Sequence, residues 1–230
     1  MARSSIWKDD YWVLLMQLYL KKPVGVKALY NRDMVDLSME LHIAPEALQS
    51  RMQQIAQFDT AKGAAAQQGG SDTPPRIERI YRTYSDNSKK LARAVRMLRQ
   101  MSGFGAADVF YDGVEVEETF EKDFRPLRED ERLMPVMLII VLDLYFRLTP
   151  ATMVAETPEV QEAAQQMKLP TDLVVDVLHV YQHCDPYLKR DDNYFSPLLL
   201  PCQQVWQRFG NIDTVILEKH ADELREYFRR

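Results

Sequence analysis

The residues best suited to chemistry lie in the segment 76–99, RIERIYRTYSDNSKKLARAVRMLR. There Arg76, Arg79, Arg82, Lys89, Lys90, Arg93, Arg96 and Arg99 stand against only Glu78 and Asp86. Arg76, Arg79 and Arg82, like Arg93, Arg96 and Arg99, recur every three residues and so form partly aligned rows on helices. A cationic strip of this density suits a phosphate backbone, because each neutralised phosphate releases condensed counterions. The competing reading is neutralisation within the chain. The segment that follows is strongly acidic, and opposite charge blocks joined by a short tether meet at high effective concentration.

Upstream, the stretch 36–55, DLSMELHIAPEALQSRMQQI, has the spacing of a helix-turn-helix. Apolar residues fall at 37, 41, 43, 48, 52 and 55, Ser38 is small where two helices must cross closely, and Pro45 opens the second helix. In a reading helix the early residues that point away from the core face the groove. Here these are Glu46, Gln49, Ser50 and Gln53, with Arg51 beside them. Gln pairs bidentately with adenine and Ser reaches a base or a phosphate, whereas Glu46 opposes binding. The alternative is a polar face that is simply solvated.

His179 and His183 are spaced four apart, next to Cys184 and Asp185, which is a spacing that can share a metal ion. The positions 126 residues earlier hold Gln53, Gln57, Phe58 and Asp59, a pattern of surface, core and helix end. No metal and no cofactor are therefore expected. The chain has no nucleophile elbow in a Ser-His-Asp order, no Gly-rich phosphate loop and no paired CxxC, and Asp191-Asp192 beside Lys189-Arg190 reads as a charged turn. The expectation is a protein without catalytic activity.

The elements that must hold these residues occur twice at a constant offset of 126. Leu18-Tyr19-Leu20 answers Leu144-Tyr145-Phe146, Leu41 answers Met167, Met52 answers Leu178, and Asp59 answers Asp185. Each half opens with an apolar helix, Trp12, Leu15, Leu18 and Tyr19 in one and Leu138, Val141, Leu142 and Tyr145 in the other, that ends before Pro23 or Pro150. Ser4 or Ser5 can cap the first of these. A short helix follows over about 33–41, matched by 158–167 with Thr157 as its N-cap. A third opens at Pro45 and closes at Asp59, or at Asp185 in the second half. Two more helices per half are implied: Ile80-Tyr81 aligns with Val205-Trp206, and Leu91, Val95 and Leu98 with Leu217, Ala221 and Leu224. The fold class is all-α, with two tandem helix-turn-helix-like repeats over 1–100 and 132–230. Between them a connector over 101–131 belongs to neither. Asp112-Gly113 within it favours a small β-hairpin, with an extended acidic strap as the alternative. The low-complexity stretch AKGAAAQQGGSDTP is expected to be mobile.

The 230 residues suit two domains of ordinary size, and 46% hydrophobic residues suffice for real cores. The net charge of −5 conceals a segregation: 16 Lys and Arg face 10 Asp and Glu in 1–100, 3 face 10 in 101–131, and 10 face 14 in 132–230. The first half is the one a nucleic acid would choose. In the second half Asp172, Val175, Asp176 and His179 occupy the groove-facing positions, and the carboxylates would repel phosphate. That half reads as a contact surface for another protein or for a second copy. The N-terminus MARSSIWKDDYW lacks a signal-peptide pattern, and the apolar run 134–142 is too short to span a bilayer. A cytoplasmic protein that does not enter a membrane follows, with Cys184 and Cys202 reduced.

Over its full length the chain resembles a family of uncharacterised Bacteroidales proteins, on the pattern of an apolar helix ending in LYL or LYF, a break, an acidic-capped helix, and a helix ending at Phe58-Asp59 or Cys184-Asp185. That resemblance implies no activity. Each repeat also resembles the helical domain that precedes the nuclease domain of some HNH-type restriction endonucleases. The chain has no His-Asn-His cluster, so the resemblance implies only a DNA-associated helical module. The expectation is a non-catalytic nucleic-acid-binding or regulatory protein that engages duplex DNA through the first repeat. An adaptor making only protein contacts is the alternative.

Overall fold

The computed structural model describes residues 9–63, 75–101, 118–188 and 194–229. Among these residues the chain is all-α: eleven α-helices, one short 3-10 turn over Pro150–Thr152, and no strand. It divides into two compact units, Met1–Val116 and Glu117–Arg230.

In the first unit α1 (Asp9–Leu20) is the central helix, and α2 (Arg32–Leu41), α3 (Pro45–Gly63), α4 (Pro75–Tyr84) and α5 (Ser88–Gln100) all pack against it. The sequence DDYWVLLMQLYL is apolar nearly all round, which is the composition of a helix covered on every side. Trp12, Leu15, Leu18 and Tyr19 are buried there together with Leu48, Met52 and Ile55 of α3. Past Pro23 the chain passes through Gly25 at a φ of +125°, a conformation strained for any residue that has a Cβ. Its N–H donates to the Tyr19 carbonyl at 2.9 Å. Lys27 is buried beneath this turn and donates its ammonium to the carbonyls of Lys21, at 2.7 Å, and Pro23. Burial holds its pKa below the ordinary lysine value although Asp33 pulls the other way.

Helix α2 starts at Asn31, whose side chain accepts from the Asp33 N–H, and stops at His42 in the left-handed conformation. Ser38 of α2 is fully buried, and α2 packs against α3. The third helix runs on past Asp59 to Gly63, four residues beyond the expected end. Asp59 is not a terminator here. It accepts hydrogen bonds from the hydroxyls of Tyr19 and Tyr81 and so ties α3 to α1 and α4.

In the second unit α7 (Pro135–Arg147) is central, with every side chain from Val136 to Tyr145 buried. Against it pack α6 (Glu118–Asp123), α8 (Pro158–Met167), α9 (Thr171–Cys184), α10 (Leu199–Phe209) and α11 (Thr214–Arg225). Helices α2 and α8 have bounds 126 residues apart, and each ends in a left-handed non-glycine residue, His42 at φ 53° and Lys168 at φ 58°. Thr157 precedes α8 as expected, but its hydroxyl donates to the Thr152 carbonyl at 2.5 Å and does not cap the helix. The unit boundary falls within the connector, at Val116 and Glu117, so the connector's second half is built into the second unit. Phe124 is buried there with its ring centroid 5.0 Å from that of Tyr227. Ser4, Ser5, the hairpin around Asp112-Gly113 and most of the low-complexity stretch lie outside the described residues.

Candidate nucleic-acid interface

Helix α4 buries Ile77, Ile80 and Tyr81, which turns Arg79 and Arg82 outward. Arg82 pairs with Glu78 one turn earlier at 2.5 Å, an exposed pair of small energetic weight. The Arg76 side chain is outside the described ones. Helix α5 begins at Asn87, whose side chain accepts from the Lys90 N–H at 2.9 Å, and buries Leu91 and Val95. Lys89, Arg93 and Arg96 are four and three residues apart on the face opposite those two, and all three are exposed. They have no ion-pair partner among the described residues. Lys90 lies with its ammonium 5.6 Å from the Tyr84 ring centroid. Arg99 turns toward α2 and grips Glu40 with two hydrogen bonds of 2.7 and 2.8 Å. The strip that reads as uniform in sequence thus has an open centre, Lys89, Arg93 and Arg96, and engaged ends.

The polar face of α3 divides in the same way. Ser50 and Gln53 are exposed. Gln49 is partly buried, and its amide donates to the Lys27 carbonyl at 3.1 Å, so it braces the turn after α1. The Arg51 guanidinium lies 5.9 Å from the Trp12 ring centroid, and Glu46 accepts from the Tyr30 hydroxyl at 3.2 Å. Of the residues expected to reach a groove, Ser50 and Gln53 have the exposure for it, while Gln49 and Arg51 are occupied by the fold. Glu40 is the residue that sequence reasoning missed. It lies 59 positions from Arg99, and only the packing of α2 and α5 on α1 brings them together.

In the second unit Asp172, Asp176 and His179 are exposed on α9. The His183 ring stacks on Tyr194 at 3.8 Å and 6°. Both border a cleft of about 610 Å³ that Asp176, His179, Arg132 and Phe195 also line. Among the described residues no group of three His, Cys, Asp or Glu is placed to hold a metal. Cys184 and Cys202 are free thiols; burial pushes the first up to about 11 and the second higher still. Neither is a thiolate nucleophile near neutral pH. Three carboxylates of the connector are taken up inside this unit. Glu121 accepts from Arg125 at 2.8 Å, Asp130 from Arg132 at 2.5 Å, and Asp123 from both ends of the Arg208 guanidinium at 2.6 and 2.7 Å.

No protein-family profile matches this chain, and neither a curated protein nor a solved structure is similar to it. Among the described residues no helix is long and apolar enough to cross a membrane.

Proposed function

We propose that the first unit binds nucleic acid, with duplex DNA as the ligand, and that the protein acts without catalysis. The observation that carries this reading is the open stripe of Lys89, Arg93 and Arg96 along one face of α5, flanked by outward Arg79 on α4. Three cations without described ion pairs on one helix face repel one another weakly and focus a positive potential that an anion would neutralise. The connector supports the same reading, since Glu121, Asp123 and Asp130 have arginine partners of their own. Contact is chiefly with phosphates. Gln49 is engaged by the backbone at Lys27, so base reading rests on Ser50 and Gln53, and the helix-turn-helix serves more to position than to specify.

The test is fluorescence anisotropy of a labelled duplex with the full chain over a range of salt. Neutralising three or four phosphates gives a log–log slope of about −3. Arg93→Glu with Arg96→Glu then weakens all sequences alike. Binding that is absent at low salt refutes the reading in favour of an adaptor, for which the second unit supplies the surface: Tyr187 is 89% exposed and Phe195 99%.

A further inference from the structure

The outer faces of α5 and α11 occupy corresponding positions at the 126-residue offset but carry opposite net charge, although Arg93 and its counterpart Lys219 have the same sign. Helix α5, SKKLARAVRMLRQ, contains no acidic residue. Its exposed side presents Lys89, Lys90, Arg93 and Arg96 in its first two-thirds and ends in Met97 and Met101, each 60% exposed. Helix α11 buries Leu217, Ala221 and Leu224. A shallow groove of about 480 Å³ runs along its outer side, lined by Val215, Glu218, Lys219, Asp222, Glu223 and Glu226. Arg96 corresponds to Asp222, Met97 to Glu223 and Gln100 to Glu226.

We propose that α5 of one chain docks antiparallel on α11 of a second copy. The polarity of each helix selects this direction. On α5 the cations come first and the apolar residues last. On α11 Val215 and Ile216, 69% and 61% exposed, come first and the carboxylates last. Antiparallel docking sets Lys89 and Lys90 level with Glu226 and Glu223, and Arg93 and Arg96 level with Asp222 and Glu218. Glu218 and Glu223 carry the match, because Asp222 and Glu226 already pair with Arg225 and Arg229 of their own chain. It also lays Met97 and Met101 against Val215 and Ile216. Parallel docking would place lysines on the valine and isoleucine and methionines on glutamates, which forfeits both sets of contacts. Complementary potentials of this kind fix register and partner, and methionine is a preferred interface residue. The contact joins different patches on the two copies. It therefore closes into a dimer when each copy gives both helices, and extends into a chain when it does not.

This inference stands apart from nucleic-acid binding, and the two compete for Arg93 and Arg96. The test is sedimentation equilibrium of the full chain at low ionic strength, free of nucleic acid. The expected result is concentration-dependent association that salt weakens. Lys90→Glu/Arg96→Glu and, separately, Glu218→Lys/Glu223→Lys each raise the dissociation constant about tenfold or more. An equimolar mixture of the two variants associates again, as does a chain that carries both reversals, which rules out misfolding as the cause of the losses. A monomer at all concentrations at low salt overturns the inference, as does association indifferent to both reversals. The duplex experiment is read separately. Glu218→Lys/Glu223→Lys keeps α5 intact and retains duplex binding if the nucleic-acid reading holds, whatever the association does.

Discussion

The Tyr145 hydroxyl donates to the Asp185 carboxylate at 2.8 Å, and 126 residues earlier Tyr19 donates to Asp59. Each bond joins the central helix of its unit to a second helix across 40 residues of sequence, within α3 at Asp59 and at the C-cap of α9 at Asp185. In the first unit Tyr81 adds a second donor to the same carboxylate. In the second the corresponding place belongs to Trp206, whose ring lies 5.7 Å from that of Tyr145 in an edge-on contact. A hydrogen bond to a charged acceptor contributes about 1.5–3 kcal/mol. Tyr145→Phe is expected to lower the stability of the second unit by an amount in that range, measured by urea unfolding, with little effect on the first. An unchanged midpoint would show that the bond contributes nothing.

Asp143 is buried on α7 and accepts from Arg225 at 2.7 Å and Arg147 at 2.9 Å. Removing the partner of a buried charge costs about 3–5 kcal/mol when nothing else compensates it. Arg225→Ala leaves Asp143 with Arg147 alone and should destabilise by less than that, but by more than the loss of Arg147. Arg147 is half exposed, and its loss should cost about 1 kcal/mol or less. Equal effects in chemical denaturation would contradict this ranking.

Gln49 and Gln53 separate positioning from recognition. Gln49→Ala removes the brace on the Lys27 carbonyl and should cost about 1 kcal/mol of stability while leaving duplex sequence preference as it was. Gln53 is exposed and its side chain makes no hydrogen bond among the described residues, so Gln53→Ala should alter preference if α3 enters a groove. A change in preference with Gln49→Ala and none with Gln53→Ala would reverse these roles.

Stability should fall in alkali. Burial raises the Cys184 thiol from about 9 to about 11, so between these values the native chain keeps a proton that the unfolded chain has lost. The stabilisation is present in full below about pH 9 and is lost as pH rises. Tyr19 acts in the same direction at higher pH, through burial first and Asp59 second. Unfolding free energy measured from pH 8 to 11 is expected to decline from about pH 9, less steeply in Cys184→Ala.

Much of this protein was legible in sequence because the responsible forces are local. Apolar spacing together with Pro23, Pro45 and Pro150 places the helix ends within a few residues. The 126-residue offset matches the bounds of α2 and α8, which lie 126 residues apart. What only the tertiary structure decided are the partners of side chains far apart in sequence. Packing α2 and α5 on α1 takes Arg99 from the basic strip to Glu40, and the turn at Gly25 brings the Lys27 carbonyl to Gln49. The close approach of Tyr19 and Tyr81 converts Asp59 from a presumed helix stop into a cross-link. Charge, polarity and helical periodicity along the chain say which residues face outward. Whether an outward residue stays available depends on what another helix brings within 3 Å of it.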